Sequence, residues 1–171
     1  MRSFRSIFII SALLFYGSLS VLAQKAKHQG EIIYKLSQHI TWPEKADQHK
    51  FVIGVMGSAN DFYSFQQLAM EKSKISGMLI EVRYYECATA VSECQMLYIS
   101  QECKIKITDI VKQTKKKPIL IVSARLGYGA LGAIINFVEY EGKLKFELNE
   151  AQAAKRGLTI SDQLRDLAVV I

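Results

Sequence analysis

The sequence predicts an α/β domain in three layers: a mostly parallel sheet, helices on both of its faces, and an antiparallel hairpin near the C-terminus. Three observations carry this fold class. Short runs rich in apolar and β-branched residues, at Phe51–Met56, Gln95–Ser100 and Pro118–Ser123, alternate with stretches of helical periodicity. That is the rhythm of parallel strands joined by crossover helices. The runs are apolar almost throughout, as strands covered on both faces must be. The rhythm then breaks at Ala133–Glu139 and Lys143–Leu148, two strand-like segments around Glu141-Gly142, which predict a hairpin.

The N-terminus comes first. Arg2 and Arg5 precede an apolar run from Ile7 to Tyr16, and Val21-Leu22-Ala23 supplies a small-residue cleavage motif. This is the pattern of a signal peptide cut near Ala23. The run is about half the roughly 20 residues that a spanning helix needs. Residues 24–171 are then one exported domain, expected in the periplasm and not spanning the membrane.

From Gln29 to Thr41 a helix is predicted, because Ile32, Ile33, Leu36 and Ile40 share a stripe while Glu31, Lys35 and Gln38 face outward. Pro43 ends it, since the residue before a proline avoids the α region. Phe51–Met56 is the first strand, and Asn60 or Asp61 caps a helix running to about Lys72. Met78–Tyr85 is the second strand, Ala88–Glu93 a short crossover helix and Gln95–Ser100 the third strand. Ile105–Thr114 is helical, with Ile107, Ile110 and Val111 inward, and Pro118–Ser123 is the fourth strand. In the last strand of the hairpin, Leu144, Phe146 and Leu148 point inward and Lys143, Lys145 and Glu147 outward. Helices at Glu150–Arg156 and Ser161–Ala168 close the domain, with Asn149 and Ser161 as caps. Leu167–Ile171 is an apolar terminus that needs cover, from the domain itself or from a second subunit.

The formal net charge is +6. Its clearest concentration is Lys112 with Lys115, Lys116 and Lys117, at the C-terminal end of a helix, where cations meet the negative end of the macrodipole. A solvated helix end is the plain reading; a patch for anionic lipid headgroups or an acidic partner is the other. Nucleic acid is not expected, because no platform interleaves aromatic and basic residues.

No catalytic set emerges. Gly127-Tyr-Gly129-Ala-Leu-Gly132 spells G-x-G-x-x-G after a strand. A dinucleotide fingerprint needs a helix next, so that its N–H groups meet the pyrophosphate. Here a strand follows, and the motif reads as a glycine loop leading into the hairpin. His28, His39 and His49 have no nucleophile or ligand partners at useful spacing. No metal, cofactor or catalytic residue is assigned, and the chain is read as a non-enzyme. Cys94 and Cys103 lie at opposite ends of one strand, too far apart to bond at about 3.3 Å per residue. Cys87 would share a sheet edge with Cys103, which favours a Cys87–Cys103 disulfide and leaves Cys94 a buried thiol. Three residues are candidate ligand or partner contacts. Trp42 is the lone tryptophan at a helix end, and Arg125 follows the fourth strand at the edge where open α/β sheets bind ligands. Asn149 sits at the strand-to-helix turn of the tail.

Five segments in order resemble one family. They are Tyr34–Pro43 with its Trp42-Pro43 ending, Phe51–Gly57, Cys94–Ser100, Gly132–Asn149 and Gly157–Ser161. Together they are similar to the YfiR-like periplasmic regulators, the DUF4154 domain, from about Glu31 to Ala168. The resemblance implies an exported, homodimeric, non-enzymatic module. It would restrain an inner-membrane diguanylate cyclase, or act beside another signalling protein such as a sensor kinase, and so lower cyclic-di-GMP and biofilm formation. A small-ligand sensor using the C-terminal edge of the sheet is the alternative.

Overall fold

The computed structural model describes residues 29–43, 49–86, 88–91 and 93–171. The expected signal peptide, His28 and Cys87 lie outside the described residues. Within them the expected fold class is found, an eight-stranded and mostly parallel sheet between two helical layers.

Residues 29–37 form helix α1, followed by the short strand β1 (Ile40–Thr41) and the first long strand β2 (Lys50–Met56). Helix α2 (Ala59–Lys72) starts where the Ser58 hydroxyl accepts the Asp61 N–H, which satisfies one open donor of its first turn. A narrow antiparallel pair follows, β3 (Lys74–Ile75) and β4 (Met78–Tyr84). A 3₁₀ turn (Ala88–Ala90) leads to β5 (Met96–Ile99), α3 (Ile107–Gln113) and β6 (Leu120–Ser123). The hairpin is β7 (Ile135–Tyr140) and β8 (Lys143–Leu148). The chain ends in α4 (Glu150–Lys155), β9 (Thr159–Ile160), α5 (Asp162–Leu167) and β10 (Val169–Val170).

The sheet order is β10-β8-β7-β6-β5-β2-β4-β3. Pairing is parallel from β4 through β2, β5 and β6 to β7, antiparallel in the β7–β8 hairpin and in β3–β4, and parallel again between β8 and β10. Alternation along β2 divides the core. Phe51, Ile53 and Val55 face α1 and α2 together with Tyr98, Val122 and Phe137, and Leu158 and Leu164 join that side from the tail. Val52 and Met56 face α3 with Leu97, Ile99, Ile110 and Ile121. Each such fully buried side chain contributes about 1.5–3 kcal/mol. The apolar runs are continuous because both faces are covered.

Three expectations are corrected. The first helix stops at residue 37, and Ile40–Thr41 instead pairs antiparallel with Thr159–Ile160. Two β-branched residues just before Trp42-Pro43 favour extended backbone, and the tail supplies hydrogen-bond partners that a frayed helix end would lack. Glu147 does not simply face water, since its carboxylate accepts from the Asn136 amide across the hairpin at 2.8 Å. Beyond the hairpin the apolar terminus adds one more strand, β10 outside β8, in register Val169↔Glu147 and Val170↔Leu148. Short strands of this kind have no periodicity of their own to read. Two expected caps are in place, Asn149 accepting from the Gln152 N–H at 3.0 Å and Ser161 from the Leu164 N–H at 3.3 Å. Helix α2, in contrast, is capped by Ser58 rather than by Asn60 or Asp61, which lie inside its first turn.

Candidate functional site at the carboxyl edge of the sheet

The strand order reverses between β2 and β5: β2 crosses through α2 to β4 on one side, while β5 lies on the other. Ligands of open α/β sheets gather outside the carboxyl ends of strands at such a point. Here the turn after β2 presses against the turn after β5. Gly57 has φ 112°, and a Cβ on it would sit 2.7 Å from the Cys103 Cα. The Ser100 N–H donates to the Met56 carbonyl at 3.0 Å, and the Cys103 N–H to the Ser100 carbonyl at 3.2 Å.

A polar chain runs beside this contact. The Tyr98 hydroxyl donates to the Gln29 side-chain oxygen at 2.9 Å, and burial, reinforced by the Asp61 charge, raises its pKa above the usual phenol value. Asp61, in the first turn of α2, is pushed up from 3.8 to about 6, mainly by burial and further by Glu102, against the opposing hydrogen bond of Ser100. The folded chain therefore holds this proton more tightly than the unfolded one. The stabilisation that results is full below about pH 4 and is lost as pH rises to about 6. Asp61→Asn should flatten the dependence of the melting temperature on pH across that window, which thermal melts at half-unit pH steps would show. An unchanged slope would place the titration elsewhere.

Next to this chain lies a cleft of about 310 Å³, lined by Gln29, Gln101, Ala124, Phe137, Glu139 and Leu144 among others. It exists because β7 runs on past the end of β6, whose pairing stops at Ser123↔Asn136. The overhanging hairpin thus walls a space above the ends of β5 and β6. Phe137 and Leu144 supply apolar wall, and Gln101 and Glu139 polar groups. Among the described residues no cluster of His, Cys, Asp and Glu could hold a metal ion.

The structure places two of the three candidate contacts, Arg125 and Asn149, in the loop framework near this edge, and Trp42 at the opposite, amino end of β2 and β5. The Trp42 ring meets Phe51 edge-on at 5.0 Å, and its indole N–H donates to the Gln95 carbonyl at 3.0 Å. Arg125 donates to the Cys103 carbonyl at 2.8 Å and lies 4.7 Å over the Tyr128 ring. The Asn149 amide donates to the Gly129 carbonyl at 3.0 Å. Arg125 and Asn149 are thus brought together on one loop, residues 124–133, and Trp42 is not. That loop explains its own glycine spelling: a Cβ on Gly129 would fall 2.4 Å from a Glu147 carboxylate oxygen and 2.7 Å from the Ile171 side chain. Beneath it, Asn136 is fully buried with its side-chain oxygen unpartnered. Cys94 and Cys103 are buried free thiols, and burial pushes the Cys94 thiol up to about 12, which keeps it protonated and unreactive.

Sequence reasoning missed Arg156. It is 6% exposed and donates to the Thr114 carbonyl at 2.8 Å, to the Thr114 hydroxyl at 3.1 Å, and to the Lys117 and Val111 carbonyls. It caps the C-terminal end of α3 with a side chain from α4. Only a basic residue just before Gly157 hinted at this.

The other exposed feature of this end is apolar. Leu167, Val169, Val170 and Ile171 are 70%, 47%, 48% and 47% exposed. Ile171 lies against Gly129, two residues from the half-exposed Leu131. Among the described residues no strand pairs with the outer side of β10. Among the described residues no helix is long and apolar enough to cross a membrane.

Two solved structures share the fold. One is described as a conserved domain protein from Vibrio cholerae, at TM-score 0.58 and 13% identity, covering 85% of this chain and 59% of that one. The other is an ABC domain in complex with L-Trp from Streptococcus pneumoniae, at TM-score 0.54 and 15% identity, covering 85% and 60%. The chain thus spans about three fifths of either protein. No curated protein matches it. A family model described as YfiR/HmsC-like (DUF4154) matches residues 26–169, nearly the whole length over which the sequence segments, the sheet and its apolar edge have been traced. The chain belongs to the YfiR/HmsC-like family.

Proposed function

We propose that this protein is an exported, non-enzymatic signalling regulator that docks through its apolar C-terminal edge on a membrane-bound partner and restrains it. The partner that the family suggests is a diguanylate cyclase, approached on its periplasmic side. The observation that carries the reading is the tail, which completes the sheet yet leaves Leu167, Val169, Val170 and Ile171 on the outside. An apolar edge strand without a neighbour is a template for another chain, by strand addition or by side-chain packing. Restraint follows by population shift, the regulator binding the partner's inactive state better than its active one. In this reading Trp42, Arg125 and Asn149 act through the loops they hold. A homodimer through the same edge would compete with the partner for it.

The test is affinity purification of the protein from crosslinked, detergent-solubilised envelope, with Val169→Glu/Val170→Glu in parallel. Recovery of a membrane cyclase by the native chain, reduced at least tenfold in the variant at unchanged melting temperature, is the expected result. Equal recovery by both would remove the edge from the account. Recovery of no membrane signalling protein would count against the reading itself.

The cleft favours a second reading, a small amphiphilic ligand held between apolar Phe137 and Leu144 and polar Gln101 and Glu139. The L-Trp complex of the streptococcal neighbour is in keeping with it. Thermal-shift screening of amino acids and related small molecules, repeated on Phe137→Ala, would test it. A ligand-induced shift kept by that variant would place the binding elsewhere.

A further inference from the structure

The layer formed by α3 carries a second surface, of opposite character to the tail. Lys104, Lys106, Lys112, Lys115 and Lys116 are all exposed, and Asp109 is the one acid between residues 104 and 117. Lys117 is set apart by its hydrogen bond to the Val91 carbonyl at 2.8 Å. Arg156 docks the end of α4 onto the last turn of α3, so exposed Lys155, its neighbour in sequence, belongs to the end of α4 that meets this layer. None of these six lysines has an ion-pair partner among the described residues. Helix α3 is only about 10 Å long and buries Ile107 and Ile110 against the sheet, which leaves the exposed lysines at its two ends to the outer side of this layer.

We propose that this face lies on an anionic phospholipid surface. Two features select a bilayer over a protein. The charges are lysine ammonium groups, compact point charges on flexible stems, with no exposed arginine fork for a fixed carboxylate. No large exposed apolar or aromatic side chain lies between residues 104 and 117 or on α4, whereas protein interfaces need such anchors and are depleted in lysine. A fluid array of headgroups asks for neither a fork nor an anchor, and each lysine near it adds to the attraction. Held this way, the sheet lies over the membrane on its α3 side and leaves the β10 edge open laterally. The inference does not depend on which protein that edge meets.

Vesicle co-sedimentation tests it, using the full chain in the form that the expressing cells export. The probes are vesicles of phosphatidylcholine alone and with about a third phosphatidylglycerol, at low and high salt. The native chain should bind the anionic vesicles and be released by salt. Lys112→Gln/Lys115→Gln/Lys116→Gln should weaken partitioning about a hundredfold, at roughly fivefold per lysine. The charge-matched control Lys35→Gln/Lys74→Gln/Lys143→Gln, made at exposed positions off this face, should retain binding. Equal loss in both triple variants would show mere net charge and overturn the proposal, as would equal binding to neutral vesicles. Binding to polyglutamate with none to anionic vesicles would assign the face to an acidic protein and overturn it equally. Far-ultraviolet circular dichroism melts confirm that each variant is folded.

Discussion

Arg156→Ala should cost about 3 kcal/mol of stability, a loss in melting temperature of roughly 6–12 °C for a domain of this size. The guanidinium is buried beneath α4 and bonded to three backbone carbonyls and the Thr114 hydroxyl at the end of α3. Burial alone lowers its pKa, so the buried charge is costly, and those acceptors offset the cost. They cluster at and just beyond the C-terminal end of α3, where a cation meets the negative pole of the macrodipole. Truncation removes a charged, buried donor from all of them at once, leaving the Thr114 and Lys117 carbonyls only the Lys117 and Ile119 N–H groups. Arg156→Lys keeps the charge but not the fork, and should recover less than half of the loss. Thermal and urea unfolding followed by circular dichroism would measure both. An alanine variant within about 0.5 kcal/mol of the native chain would mean that α3 and α4 are held together by packing alone.

Gly57→Ala should cost a similar amount, about 3 kcal/mol, for a different reason. Its φ of 112° lies in the region that side chains rarely adopt, and an added Cβ would meet the Cys103 backbone rather than a movable side-chain tip. Backbone strain of about 1–3 kcal/mol then adds to a clash of similar size. The damage falls where the turns after β2 and β5 meet, beside Asp61 and Ser100. The pH-dependent stability assigned to Asp61 should therefore shrink along with the melting temperature. Gly77 has a comparable φ of 79° but open space around its Cβ position, and Gly77→Ala should cost only the strain. If the two substitutions proved equal, the close approach at Cys103 would contribute nothing.

Much of the fold was legible because burial on both faces writes long apolar runs into β2, β5 and β6, and because the Glu141-Gly142 turn separates two strands of clear pattern. Asn149 and Ser161 could be read as caps because short polar side chains before a helix have few other uses. The two-residue strands β1, β3, β9 and β10 could not be read. Each exists only through a partner far away in sequence, as Ile40 does through Ile160. Glu147 looked outward by alternation alone; the loop folded over it, made possible by Gly129, is a tertiary fact. The site was legible in place rather than in residues. Reasoning from strand order pointed to the carboxyl edge, and the cleft lies there. Its wall, however, is Phe137, Glu139 and Leu144 of the overhanging hairpin, while Arg125 and Asn149 are spent on holding the glycine loop. No pattern in the chain reveals that β7 outruns β6.

The central claim is that the apolar C-terminal edge restrains a membrane cyclase. The most direct measurement is cyclic-di-GMP in cells lacking this protein, complemented with the native chain or with Val169→Glu/Val170→Glu exported at equal level. The account predicts a raised level on deletion, return to the parental level with the native chain, and no return with the edge variant. An unchanged level on deletion, or full restoration by the edge variant, would contradict it.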